Sequence, residues 1–202
     1  MRTEETAAAL SKCSPLSALA QDGVPYSTWK QVNKLNQSIL LRILAPLVLL
    51  GYHPASLKGL KGVVLDKPRK PTYESPSAFR IIVRIRTVSK ILQRIIASRL
   101  LAAARLRGLL HPNQSGSLPG LSTYDACLIL TNDINTLRWP RLKVSSLFLD
   151  IKAGFDNVDN NTLARILREG AIPLYLVSWA SAKIIICVLS VPCIRRSGHS
   201  ER

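Results

Sequence analysis

The chain has 202 residues, enough for one sizeable core or two small lobes. Lys and Arg total 28 against 12 Asp and Glu, a formal net charge of +16, which favours a polyanionic partner without specifying a fold. The excess is uneven: from Lys58 to Arg107, thirteen Lys or Arg stand against Asp66 and Glu74, so this segment carries +11 of the total. Cysteines at 13, 127, 187 and 193 make no C-x-x-C pair, so nothing suggests a disulfide framework and a reducing intracellular setting, nucleus or cytoplasm, is expected. Cys187, Cys193 and His199 are loosely spaced like metal ligands, but they lack the fourth that zinc wants. No signal-peptide pattern opens the chain. The apolar run Ile39 to Leu50 contains Arg42 and Pro46 and is too short to span a bilayer.

In chain order, residues 1–24 mix Ala, Ser and charges and read as a loose tail or an unanchored helix. From Ser27 to Leu50 the apolar residues recur at helical spacing, with Pro46 expected to kink or break the run. Val63 to Leu65 is a short β-branched strand, followed by a loop pinned by Pro68, Pro71 and Pro76, and Arg80 to Ile85 is the next strand. Val88 to Arg107 is the longest helix: Val88, Ile91, Leu92, Ile95 and Ile96 form one apolar stripe, Arg94 and Arg105 lie off it, and Gly108 ends it. The loop "HPNQSGSLPG" leads to Ser122-x-x-Asp125, a capping box that opens a helix with Cys127, Leu130, Ile134 and Leu137 on one face. Pro140 stops helix near Trp139. Val144 to Leu149 is a strand with Val144, Ser146, Phe148 and Asp150 on one side. Thr162 to Glu169 is a short helix ended by Gly170. The order is mixed α and β, without the alternation of a doubly wound sheet.

The stretch "LFLDIKAGFD" runs an apolar strand into Asp150. A rigid strand end suits a carboxylate that holds Mg²⁺, because nucleotidyl transfer needs metal oxygens at fixed positions. Phe155 would then lie under the incoming sugar. The alternative is that Asp150 only bonds backbone amides, while Asp156 or Asp159 caps the following helix.

"SSLFLDIKAGFDNV" resembles the first palm motif of reverse transcriptases from non-LTR retrotransposons (of fungal type), a strand followed by D-x-x-x-x-[FY]-D. "VVLDKPRKPTYESPSAFRIIV" is similar to the family's fingers segment, KPGKP…YRPI, and "ILQRIIASRL" resembles the helix after it. "LLHPNQSGSLPGLSTYDA" and "ILREGAIPLYLVSW" resemble the next motifs, so the likeness runs from about Gly51 to Trp179 in the family's order. It implies an α+β fold: the fingers and partial palm of a right-hand polymerase, cut before the Y-x-D-D hairpin and thumb. Residues 1–24 would be a tail, 25–140 fingers-like, 141–181 the first palm strand and its helix, and 182–202 a divergent tail.

The resemblance further implies Asp150 as the metal ligand, with the Ile151 carbonyl as a second oxygen for Mg²⁺. Phe155 becomes the gate against a ribose 2′-hydroxyl, Lys67 and Arg80 contacts to the incoming triphosphate, and Gln114 and Gly116 part of the template-side loop. RNA template and DNA primer would be the partners, with no membrane. For Arg80 a phosphate-tracking surface charge is the other role, and for Gln114 and Gly116 a plain turn. The sequence departs from the family at Arg69, which replaces the Gly of KPGKP, at Ile81, which replaces the Pro of YRPI, at Ser115 and Leu118, and in the order Ala153-Gly154.

The seven aspartates, 22, 66, 125, 133, 150, 156 and 159, include no adjacent pair, and G-x-P-Q-G is absent as well. Asp156 lies roughly 20 Å of extended chain beyond Asp150, against metals about 4 Å apart in a two-metal site. After Trp179 the chain leaves the family pattern, as expected of a frameshift or retained intron near Ala182. Three readings follow: a polymerase fragment inactive alone, a basic RNA- or DNA-binding remnant without catalysis, or a relic without function. The palm strand would present an unpaired, aggregation-prone edge.

Overall fold

The computed structural model describes residues 1–14, 22–138, 143–151 and 157–181. Its elements are α1 (Thr3–Ser11), α2 (Tyr26–Leu35), α3 (Gln37–Leu50), β1 (Leu60–Asp66), β2 (Phe79–Ile85), α4 (Thr87–Leu106), α5 (Thr123–Arg138), α6 (Asn160–Glu169) and α7 (Leu174–Ser181), with 3-10 turns at Ala55–Leu57 and Pro76–Ala78. This is a mixed α+β domain whose described sheet is one antiparallel pair, β1 with β2.

The core forms around α4. Its stripe of Val88, Ile91, Leu92, Ile95 and Ile96 is buried, as the 3.6-residue spacing requires of an amphipathic helix packed on neighbours. Against it lie Leu40, Leu44 and Val48 of α3, spaced four apart, and Leu176, Val177, Trp179 and Ala180 of α7. Trp179 is fully buried, and its indole N–H donates to the Leu47 carbonyl at 3.3 Å. The aromatic body thus packs while its single donor is satisfied. Gly51 closes α3 at φ 60°, and a Cβ there would stand 3.1 Å from Ser178 Cβ, so both the turn and the approach of α7 call for glycine.

Polar clamps tie the surrounding helices to α4. The Trp29 indole N–H donates to the Thr87 hydroxyl at 2.8 Å, and that hydroxyl donates to the Val24 carbonyl at 3.0 Å. Ser89 donates to the Leu57 carbonyl at 2.9 Å. Arg99 holds Glu5 with two hydrogen bonds, 2.6 and 2.7 Å, a bidentate pair half sheltered from solvent. Hydrogen bonding to Arg99 therefore keeps the Glu5 carboxyl below its usual range, despite partial burial. The guanidinium also stands 5.9 Å over the Tyr175 ring.

Three sequence expectations change. The N-terminal segment is not a loose tail over Thr3–Ser11: α1 buries Thr6, Ala9 and Leu10 and is pinned through Glu5. The helical run to Leu50 breaks at Asn36, not at Pro46. Asn36 is extended (φ −153°, ψ 102°) and its side chain accepts from the Ser38 N–H at 2.9 Å, capping α3, whereas Pro46 lies inside α3. Residues 144–149 form no strand; they are coil and, after Val144, exposed. A strand is a paired structure, and none of the described strands pairs with this one. The long helix, expected at Val88 to Arg107, falls at Thr87–Leu106, and the strand expected at Arg80 to Ile85 falls at Phe79–Ile85. The strand expected at Val63 to Leu65 is longer at both ends, Leu60–Asp66, and Gly108 lies just past α4 at φ 64°.

His53 is 4% exposed, set edge-on to Trp179 at 5.3 Å, and neither ring nitrogen has a hydrogen-bond partner. Burial, helped by Lys58, pushes its pKa below the ordinary imidazole value. The folded state thus binds its proton less readily than the unfolded chain does. His53 leaves stability intact above the ordinary imidazole range and lowers it as pH falls through that range toward the depressed folded value. We expect urea midpoints to drop between about pH 7.5 and about pH 5, and the drop to shrink in His53→Leu. An unchanged slope in that variant would assign the acid sensitivity to other groups.

Candidate nucleic-acid interface

The β1–β2 register sets the geometry. Leu60 faces Ile85, Lys61 faces Arg84, Leu65 faces Arg80 and Asp66 faces Phe79. Residues directly opposite share a face in an antiparallel pair. One face therefore carries Lys61, Val63, Leu65, Arg80, Ile82 and Arg84. The ladder extends one step past β1, where the Lys67 N–H donates to the Ala78 carbonyl at 2.8 Å. Lys67 and Arg80 thus meet at the same end of the hairpin, Arg80 exposed and Lys67 half-buried. Both are neighbours of the connecting loop that the Tyr73 hydroxyl fastens by donating to the Lys67 carbonyl at 2.9 Å. Tyr73 in turn packs its ring 6.0 Å from Phe79.

Inside that loop Arg69 takes φ 64°. This is the position where the family resemblance has glycine, and the left-handed backbone is the physical reason for a glycine there. Arg69 keeps the turn and carries the strain of a Cβ.

Gln114 and Gly116 lie exposed in the coil after α4. The Gln114 N–H donates to the His111 carbonyl at 3.0 Å, and the left-handed backbone position falls on Ser117 (φ 61°) rather than on Gly116. Farther on, the capping box forms as read: the Ser122 N–H donates to Asp125 Oδ2 at 2.7 Å, and the Asp125 N–H to Ser122 Oγ at 3.3 Å. Hydrogen bonds from Ser122 hold the Asp125 carboxyl below its usual range. The α5 helix that follows buries none of its residues, leaving Leu128, Ile129 and Leu130 exposed.

Asp150 and Ile151 sit at the end of the exposed segment, Ile151 at 80% exposure beside Leu147, Phe148 and Leu149 at 78–84%. Phe155 and Asp156 lie outside the described residues, as do Cys187, Cys193 and His199. Asp159 is a cap: its side chain accepts from the Thr162 N–H at 2.8 Å, and hydrogen bonds from Thr162 hold its carboxyl low. Lys67 and Arg80 are thus brought together, while Gln114, Gly116 and Asp150 stay on separate exposed stretches of coil.

Mg²⁺, which the family implies, takes six oxygens in near-octahedral order, usually one or two carboxylates plus phosphates and water. Among the described residues no group of three or more His, Cys, Asp or Glu could hold a metal ion. Asp150 brings one carboxylate on exposed coil, and this donor set does not by itself fit a resident Mg²⁺. No helix among the described residues is long and apolar enough to cross a membrane.

Residues 67–193 match the family model described as reverse transcriptase (RNA-dependent DNA polymerase). The match spans well over half of the sequence, from the hairpin tip through α4, α5, Asp150, α6 and α7. The chain belongs to this family. It is 28% identical over 156 residues (76% of this chain, 17% of the relative) to a probable RNA-directed DNA polymerase from transposon X-element of Drosophila melanogaster. To the retrovirus-related Pol polyprotein of the type-1 retrotransposable element R2 of Popillia japonica it is 29% identical over 146 residues (72% and 20%). A third relative, the probable RNA-directed DNA polymerase from transposon BS of Drosophila melanogaster, is 25% identical over 205 residues (98% and 22%). These relatives are insect elements rather than fungal ones, and the chain spans about a fifth of their length.

The sequence placed Arg94 off the apolar stripe without giving it a role and singled out none of Arg84, Lys90 and Lys30. Near the other end of the hairpin the charges of Arg94, Lys30 and Lys90 act on Cys13, and those of Arg94 and Arg84 on Lys90. The available signals were the Arg80/Arg84 alternation on β2 and the Lys90/Arg94 spacing of four on α4. Lys30 carried no signal, because it reaches the group only through the docking of α2.

Two outcomes are expected here. Arg69→Gly raises stability by about 0.5–1 kcal/mol, read from urea unfolding, because relief of a left-handed Cβ exceeds the entropy that glycine adds to the unfolded chain. Leu147→Lys with Leu149→Lys increases the soluble concentration reached before aggregation, with unfolding stability unchanged within about 0.5 kcal/mol, since neither side chain packs in the core.

Proposed function

We propose that this chain is the fingers and the opening palm segment of a retroelement RNA-directed DNA polymerase. It engages a primer–template duplex and does not by itself complete nucleotidyl transfer. Residues 25–140 act as the fingers-like region and 141–181 as the start of the palm. The observation that carries the reading is the convergence of Lys67 and Arg80 at one hairpin end, within a segment bearing +11 of the +16 net charge.

Lys67 supplies a compact point charge and Arg80 a planar fork, the two cation types that phosphates reward. Asp150 is the carboxylate that would meet a metal carried in with a triphosphate, next to the Ile151 carbonyl. Phe155 is the residue that would lie against the sugar, and Gln114 with Gly116 the template-side loop. Of the seven aspartates in the 202 residues none is adjacent to another. Because in-line phosphoryl displacement is clamped by two metals about 4 Å apart, a single aspartate leaves the clamp unfinished. The chain therefore binds through charge and does not turn over.

The test combines two measurements on the 202-residue chain. Fluorescence anisotropy with a labelled RNA–DNA duplex should give an affinity that falls steeply with salt, and weaker binding in Lys67→Ala with Arg80→Ala. Primer extension with Mg²⁺ and all four deoxynucleotides should yield no product. Templated extension abolished by Asp150→Asn would overturn the claim of incompleteness, and salt-independent or absent duplex binding would overturn the interface.

A further inference from the structure

At the end of the hairpin opposite Lys67 and Arg80, cations from three elements converge. Lys90 and Arg94 stand one turn apart on α4, and Arg84 lies near the end of β2 just before that helix begins. Lys30 of α2 follows Trp29, whose indole N–H donates to Thr87 at the start of α4. The charges of Arg94 and Arg84 act on Lys90, and those of Arg94, Lys30 and Lys90 on buried Cys13. Hydrogen bonds tie the elements that carry them together: besides the Trp29–Thr87 bond, one arm of Arg94 donates to the Lys12 carbonyl at 2.8 Å. Arg84 stands directly opposite Lys61 on the same face of the hairpin, a like-charge cross-strand pair that destabilises an isolated sheet.

These charges are not answered from within. Both ion pairs among the described residues lie elsewhere, Glu5 with Arg99 and Arg165 with Glu169. Arg84 Nε is buried and has no hydrogen-bond partner. Burial first, then Arg94 and Arg84, pushes the Lys90 ammonium below its usual pKa. A half-buried cation held among other cations raises the energy of the folded chain, and a bound polyanion relieves it.

We propose that Lys30, Arg84, Lys90 and Arg94 form a cradle for the phosphate groups of a nucleic-acid backbone. The Arg84–Arg80 face of the hairpin continues this cradle to the Lys67 end. The inference rests on the duplex-binding reading above and adds a second anchoring point to it. Arg80 and Arg84 are four residues apart, about 13 Å of strand. One strand of B-form DNA rises about 3.4 Å per nucleotide and the A-form RNA–DNA duplex somewhat less, so a single backbone running along that face spans about four or five nucleotides between the two ends.

Anisotropy on the 202-residue chain with a labelled RNA–DNA duplex, from about 50 to about 200 mM salt, tests this. Lys90→Gln with Arg94→Gln should weaken binding about tenfold or more and lower the salt slope by about two, because each phosphate contact contributes about 0.9. Lys30→Gln with Lys90→Gln, which leaves the Arg94–Lys12 bond intact, should do the same with unchanged circular dichroism, and Lys90→Arg should bind as the parent does. Arg165→Gln with Arg168→Gln removes two charges from the exposed side of α6 and should change little. If this control pair loses as much as the cradle pairs, binding is diffuse charge and the cradle is overturned. Cradle variants that bind the duplex like the parent overturn it as well. A parent chain that binds no duplex sinks the polymerase-fragment reading itself.

Discussion

The constraint on which this structure depends is the burial of one face of α4. A twenty-residue helix with five branched apolar side chains on one stripe must be covered, and helices from both ends of the chain cover it. Helices α1, α2 and α3 come from before the hairpin and α7 from after it. The clamps at Trp29–Thr87, Ser89–Leu57, Arg94–Lys12 and Arg99–Glu5 fix how each neighbour sits. Hydrophobic burial alone is non-directional, so these bonds turn a collapsed bundle into one arrangement. Trp179 shows the same division of labour: its ring fills the core and its N–H reports to a single carbonyl.

That arrangement also positions the charge. β2 leads directly into α4, so any residue near Ile85 is carried against the start of the helix, and docking α2 there adds Lys30. Meanwhile the opposite end of the hairpin carries Lys67, half-buried, and Arg80, exposed. A basic segment thereby carries cations at both ends of one hairpin. Placement of this kind matters for phosphate recognition, because contacts to a backbone supply register and orientation while net charge supplies only attraction.

Residues 144–151 and α5 stand in contrast. Leu147, Phe148, Leu149 and Ile151 are among the most exposed apolar residues of the chain, and the α5 helix covers none of its own apolar residues. Their sequences are those of buried elements: an apolar run ending in Asp150, and a capped amphipathic helix. Local pattern and tertiary surroundings disagree here, and apolar side chains are left exposed. The chain spans about a fifth of the length of its insect relatives.

By itself the sequence determined what depends on near neighbours along the chain. The α4 stripe, the hairpin strands, the Ser122–Asp125 box, the Asp159 cap and the ordered motifs that mark a reverse transcriptase were all legible, because 3.6- and 2-residue periods and caps are short-range physics. Only the tertiary structure decided the rest. Anchoring of α1 rests on Glu5 meeting Arg99, ninety-four residues away. Pro46 is tolerated within α3 while the break falls at Asn36, a choice made by an extended backbone and a side-chain cap. Strand character at 144–149 depends on a pairing partner rather than on alternation. The gathering of Lys30, Arg84, Lys90 and Arg94 depends on three elements packing together, and no reading along one dimension adds up charges that meet only in three.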